Sequence, residues 1–199
     1  MWADVTAVLG PFSIDRVVNA VEKVRNRLLR AAAALDAASV PYAVAGGNAV
    51  ALWVSRVDEG AVRNTQDVDL LIRRPDLDRV KAAMEAAGFV YRHSSGLDLF
   101  LDGPNAGPRD AVHLVFAGER VRAHEPVANP DVVDSEPAGA FRVLSLEPLV
   151  RIKLTAFGDK DRVHLRDMID VGLVDSTWPS RYPPVLGERL QSLLDHPEG

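Results

Sequence analysis

The chain has 199 residues, 47% hydrophobic and 26% charged, with a formal net charge of −5 at pH 7 and no cysteine. This length and composition fit one soluble domain with a real core, or one domain with a helical appendage. The missing cysteines exclude disulfides, thiolate metal sites and a cysteine nucleophile, and fit a cytoplasmic location; the acidic balance argues against broad nonspecific nucleic-acid binding but leaves room for a local basic patch.

The first residues, Met1-Trp2-Ala3-Asp4-Val5-Thr6, lack the basic flank and apolar core of a signal peptide. No apolar run approaches the roughly 20 residues of a membrane span. From a Ser13 cap to about residue 38, Ile14, Val17, Val21, Val24, Leu28, Ala32 and Leu35 recur at helical spacing and predict a long helix. Arg16, Lys23, Arg25, Arg27 and Arg30 crowd this helix, and Arg73 and Arg74 form a second cluster; both read as scattered surface charge. Residues 40 to 45 read as a short buried strand. A helix over residues 48 to 57, anchored by Leu52 and Trp53, breaks at Glu59-Gly60. Residues 67 to 72 are the next strand. Pro75 opens a helix with Leu77, Val80, Met84 and Ala87 on one stripe and Gly88 as its stop.

Strands are expected over 89 to 92 and 97 to 101 around a Ser-Ser-Gly turn. The loop from Asp102 to Pro108 leads to a strand over 111 to 117. Residues 120 to 140, rich in Pro, Asp and Glu, read as an irregular connection with short extended pieces. Ser145 caps a helix over 146 to 157, Gly158 separates it from another over 160 to 171, and a last helix covers about 184 to 194. The three tryptophans, Trp2, Trp53 and Trp178, read as packing residues. This order predicts an α+β fold, a mixed sheet flanked by helices with a C-terminal helical portion. The division is drawn as a core over 1–140, including the long helix, and a helical subdomain over 141–199.

Asp67 and Asp69, separated by one apolar residue, point to the same side of a strand. Such pairs occur on surface strands with both side chains in water, but Val68, Leu70, Leu71 and Ile72 argue for a central strand. There, adjacent unpaired carboxylates are costly. A hard divalent cation such as Mg²⁺ is the natural neutraliser. Gly46-Gly47-Asn48, where a strand gives way to a helix, suits backbone amides bound to phosphate; a simpler reading is relief of crowding at that junction. It is neither a Walker loop nor a dinucleotide fingerprint. No histidine spacing suggests zinc, and no Gly-x-Ser-x-Gly elbow is present.

These residues resemble the nucleotidyltransferase superfamily with the polymerase-beta-type core. Ala45-Gly46-Gly47 and Asp67-Val68-Asp69 match its motif, and Arg63, Thr65, Asp67, Asp69 and Leu70 are similar to a run common in the AbiEii-type toxin branch. The resemblance spans residues 40 to 116 and, more loosely, the helices after Ser145. It implies Mg²⁺-dependent transfer of a nucleoside monophosphate from an NTP to a hydroxyl on a tRNA end, a protein or a small molecule. A toxin-like role with a cognate antitoxin partner belongs to the same expectation. Asp67 and Asp69 would hold the metal, and Gly46, Gly47, Asn48 and Thr65 the nucleotide. The family's third carboxylate corresponds here to His113, either a general base or a satisfied histidine in a noncatalytic nucleotide sensor. Asp110 and Asp98 are nearby substitutes. Lys153, Ala156, Arg166, Asp167 and Asp170 resemble a further family pattern, which implies phosphate binding by Lys153 and an active-site or lysine-positioning role for Asp167; Asp161 competes for the latter.

Overall fold

The computed structural model describes residues 13–107 and 110–197, so Trp2 and Pro108 lie outside the described residues. In chain order the elements are α1 (Ile14–Ala37), β1 (Tyr42–Ala45), α2 (Gly46–Ser55), β2 (Val68–Ile72), α3 (Leu77–Ala86), β3 (Val90–Ser94), β4 (Leu97–Leu101) and β5 (Ala111–Phe116). They continue with β6 (Ser135–Ala138), β7 (Phe141–Leu144), α4 (Leu146–Ala156), α5 (Asp159–Asp170) and α6 (Pro184–Asp195). The strands form one mixed sheet in the order β3-β4-β5-β2-β1-β7-β6. β2 runs antiparallel to β1 and parallel to β5, and β1 runs parallel to β7. Among the described residues no helix is long and apolar enough to cross a membrane.

The central strands are apolar on both faces because both faces are covered. Tyr42, Val44, Leu70, Ile72, Val112 and Leu114 pack against Leu28, Leu35, Val80 and Met84 of α1 and α3. On the other face Ala43, Ala45, Leu71 and Val143 meet α2, α4, α5 and α6 through Val50, Leu149, Leu165 and Leu190. Each large apolar side chain so buried contributes about 1.5–3 kcal/mol. Strand alternation then fixes the site: Asp69 lies on the second face with Leu71, and the parallel β2–β5 register sets His113 beside it.

The structure departs from the sequence reading in four places. α2 begins at Gly46, two residues early, so both glycines belong to its first turn. β2 begins at Val68, which leaves Asp67 just ahead of the strand. The 120–140 stretch ends in a hairpin: β6 pairs with β7, and Val143 of β7 pairs with Val44 of β1. The line drawn at residue 140 falls in that hairpin's turn. Finally, the basic clusters are only in part scattered surface charge: Arg16, Lys23 and Arg25 are exposed, but others are tied into the fold. Arg27 is 2% exposed and donates to Asp102, Asp110 and the Gln66 carbonyl. Arg30 pairs with Asp102, Arg73 with Asp131, and Arg74 with Glu119 while lying over the Phe116 ring. Trp178 is buried, and Trp53 packs with its indole N–H on the Leu144 carbonyl.

Candidate functional site

The chain turns from β1 into α2 at Gly46, whose φ of +60° lies in the left-handed region that favours glycine. A Cβ there would stand 1.7 Å from Asp69 Oδ2 and 2.6 Å from Asp69 Cγ. The Asp69 carboxylate therefore rests on the bare Cα of Gly46, beside the first turn of α2. Gly47 is crowded in the same way by Thr65, whose Oγ1 would be 2.9 Å from an added Cβ. Asn48 closes the arrangement: its Nδ2 donates to the Asp67 carbonyl at 2.7 Å. The two sequence motifs, about twenty residues apart, are thus one packed unit. The N–H groups of α2's first turn add a positive end of the helix dipole close to the carboxylates.

His113 occupies the next strand over. Its Nδ1 lies 3.7 Å from Asp69 Oδ1, and the ring is half-buried. Interaction with the Asp69 carboxylate raises its pKa above 6.5; burial opposes the shift, Asp67 adds to it, and the Lys160 ammonium works against it. The substitutes for the third carboxylate are elsewhere. Asp98 sits on the α1/α3 face, bonded to Tyr91 and His93, and Asp110 accepts from Arg27 Nη2 at 2.6 Å. Among the described residues no group of three His, Cys, Asp or Glu side chains has the geometry to enclose a metal.

α4 and α5 close the site from above. Phe157 takes the left-handed conformation (φ 49°) and turns α4 sharply into α5. The turn brings Lys153, 7% exposed, to Asp161, with Nζ 2.9 Å from Oδ1; the other Asp161 oxygen accepts from the Gly158 N–H. Asp161, not Asp167, thus holds the lysine. Asp167 is buried and accepts from Arg63 Nε at 2.8 Å, which ties α5 to the segment leading into Asp67.

Sequence reasoning passed over His164 as a lone histidine. Its Nδ1 is buried without a hydrogen-bond partner in the structure. Burial lowers its pKa, the Lys153 ammonium lowers it further, and the Asp161, Asp167 and Asp69 carboxylates act in the opposite direction. Residues 160, 161, 164 and 167 recur at helical spacing on α5, the one sequence signal that could have linked them.

No protein-family model matches the chain, and no curated protein matches it. Solved structures do. An antigenic nucleotidyltransferase-like protein from Paracoccidioides brasiliensis is 18% identical with a TM-score of 0.54, over 87% of this chain and 88% of that one. The solution structure of the antibiotic-resistance factor ANT(2'')-Ia is 15% identical with a TM-score of 0.50, over 92% of this chain and 93% of that one. At these identities the likeness concerns the fold, and the chain has a nucleotidyltransferase-like fold.

Proposed function

We propose that this chain is a Mg²⁺-dependent nucleotidyltransferase that moves a nucleoside monophosphate from an NTP to a hydroxyl acceptor. The observation that carries the reading is the seat of the Asp69 carboxylate on Gly46, which joins an acidic strand to the start of a helix within van der Waals reach. An acidic pair suits a cation, and the N–H groups of a helix's first turn suit phosphate.

The donor set fits magnesium. Mg²⁺ is commonly held by one or two carboxylates together with substrate phosphates rather than by an all-protein cage. Asp67 and Asp69 would supply those two carboxylates, and the absence of a three-residue cluster among the described residues agrees with such an open site. When bound, the cation would offset charge on the phosphates undergoing transfer.

The protein's own groups supply the rest. The first-turn amides of α2, at Gly46 and Gly47, would face the triphosphate, with the Thr65 hydroxyl against Gly47. Asn48 holds the Asp67 backbone in place. Lys153, anchored by Asp161, would contribute positive charge and donors to phosphate. His113, on the strand beside Asp69, would take the acceptor's proton. A tRNA end, a protein hydroxyl and a small molecule all remain acceptors compatible with this chemistry, and toxin activity controlled by an antitoxin partner belongs to the same proposal.

One observation favours a second reading, a noncatalytic nucleotide sensor: the third carboxylate's place is held by an imidazole. Both readings predict Mg²⁺-dependent stabilisation by an NTP, about 2.7 kcal/mol at 100 times its Kd. Pyrophosphate release separates them. A transferase releases it with a suitable acceptor and stops when Asp67 becomes alanine; equal background release from wild type and Asp67→Ala, with all four NTPs and candidate acceptors, refutes the transferase reading.

A further inference from the structure

A concavity adjoins the glycine turn. It is a cleft of about 460 Å³ between α1 and α2, lined also by the segment 62–65 and by Phe141 at the start of β7. That volume lies within the range of small-molecule sites, about 300–1,000 Å³. Val24, Leu28, Leu29, Leu52, Val62 and Phe141 make its body apolar. Of the polar side chains in the lining, Asn48 and Thr65 stand where the cleft meets the glycine turn, and Ser55 stands at the other end of α2. Asn48 bonds the Asp67 carbonyl and Thr65 abuts Gly47, so a ligand filling the cleft would present its near end to the proposed transfer site.

The charge of the lining narrows the ligand further. Arg25 and Arg63 both border the cleft; Arg63 is held by Asp167, so Arg25 supplies the positive charge, and among the described residues no Asp or Glu lines the cleft. A polyamine would meet the Arg25 guanidinium and find no carboxylate in the lining. A neutral or anionic molecule avoids that repulsion, and its apolar body replaces water along the valine and leucine walls.

We infer that this cleft seats the acceptor, and that the acceptor is a neutral or anionic hydroxyl compound with a largely apolar, ring-sized body. The inference rests on the transferase reading for the word acceptor, whereas the cleft's preference for such ligands is testable apart from it.

The probes are three naphthalenes matched in size: 2-naphthol, 2-naphthoate and 2-naphthylmethylammonium. Calorimetry on the full chain should show one site for the naphthol and the naphthoate, with the ammonium at least tenfold weaker. Filling the cleft from either wall, with Ala51→Trp on α2 or Leu29→Trp on α1, should weaken the naphthoate at least tenfold while circular dichroism remains that of wild type. Arg25→Glu changes an exposed side chain and should erase or reverse the preference for the anion. NTP with Mg²⁺ should leave naphthoate bound, because the two ligands occupy adjoining sites.

Equal binding of all three probes, no binding, or indifference to both tryptophans would overturn the inference. So would competitive displacement of naphthoate by NTP, which would give the cleft to the nucleobase. Failure of the transferase reading looks different: the NTP effect on stability and pyrophosphate release would be missing while the probes still bound with the stated preference.

Discussion

Gly46→Ala is the sharpest perturbation of this site, because two separate costs meet at one methyl group. The φ of +60° places a non-glycine residue in the left-handed region, at about 1–2 kcal/mol. The new Cβ would also fall 1.7 Å from Asp69 Oδ2, 2.6 Å from Cγ and 2.9 Å from Cβ, distances no real contact sustains. Asp69 is partly exposed, its side chain 26% accessible, so the carboxylate can swing aside and leave His113. Allowing for that relief, the total should be about 2–4 kcal/mol. The assay is urea unfolding of wild type, Gly46→Ala, Asp69→Ala and the double variant, read as a double-mutant cycle. Removing the carboxylate abolishes the two shortest overlaps, so the coupling should recover about 1–2 kcal/mol and leave the backbone cost behind. A Gly46→Ala penalty below about 0.5 kcal/mol, or strict additivity in the cycle, would refute the claim that the carboxylate is seated on the glycine. Asp69→Ala alone should remove NTP-dependent stabilisation without the backbone penalty.

Three further predictions concern the supports of the site. Lys153→Met leaves Asp161 without its buried partner and should cost about 3–5 kcal/mol, whereas Lys153→Met with Asp161→Leu should recover most of it by thermal or urea unfolding. Arg27→Leu removes the donors to Asp102, Asp110 and the Gln66 carbonyl next to Asp67. It should lower stability by about 1–3 kcal/mol and raise the amide exchange rate of Asp67 and Val68, measured by hydrogen–deuterium exchange. Burial pushes the Asp102 pKa up, but hydrogen bonds from Arg30 and Arg27 outweigh it and hold it below 3.8. A depressed carboxylate contributes stability that is present above 3.8 and lost as pH falls through the folded-state pKa; Asp102→Asn should flatten that acid limb, and an unchanged slope below about pH 4 would contradict the pairing.

The elements legible in the sequence are those whose pattern is local. α1 repeats its apolar residues for six turns, and β2 announces itself by four apolar positions around Asp69. The β6–β7 hairpin was not legible. Its strands have four residues each, too few to show a period, and β6 contains Pro137; their place is set by pairing with β1, almost a hundred residues earlier. Arg27 was opaque for a related reason. Nothing in Arg25-Asn26-Arg27 distinguishes the buried guanidinium from the exposed one, because Asp102, Asp110 and Gln66 reach it only through the tertiary fold. The lysine's partner was legible only as a choice between Asp161 and Asp167. The left-handed turn at Phe157 decided it by folding α5 back so that its first turn, not its third, meets Lys153.

The charge balance around Asp69 explains why such a site can exist before any ligand arrives. Lys153 is already bonded to Asp161, and Arg63 to Asp167. What remains is the acidic pair Asp67 and Asp69 facing the first turn of α2, the His113 imidazole and the Lys160 ammonium. Two carboxylates at this spacing need compensation, and the protein supplies it from the His113 imidazole and the positive end of the α2 dipole. A third carboxylate in place of His113 would have deepened the negative field at a strand already carrying two, and would have bound a cation more tightly while leaving the empty site less stable. On the proposed Mg²⁺ site, the imidazole would favour a fold that stands without metal, so a stability difference between His113→Asp and wild type should shrink as Mg²⁺ is added. If His113→Asp is as stable as wild type in the absence of any divalent cation, this account of the third position fails.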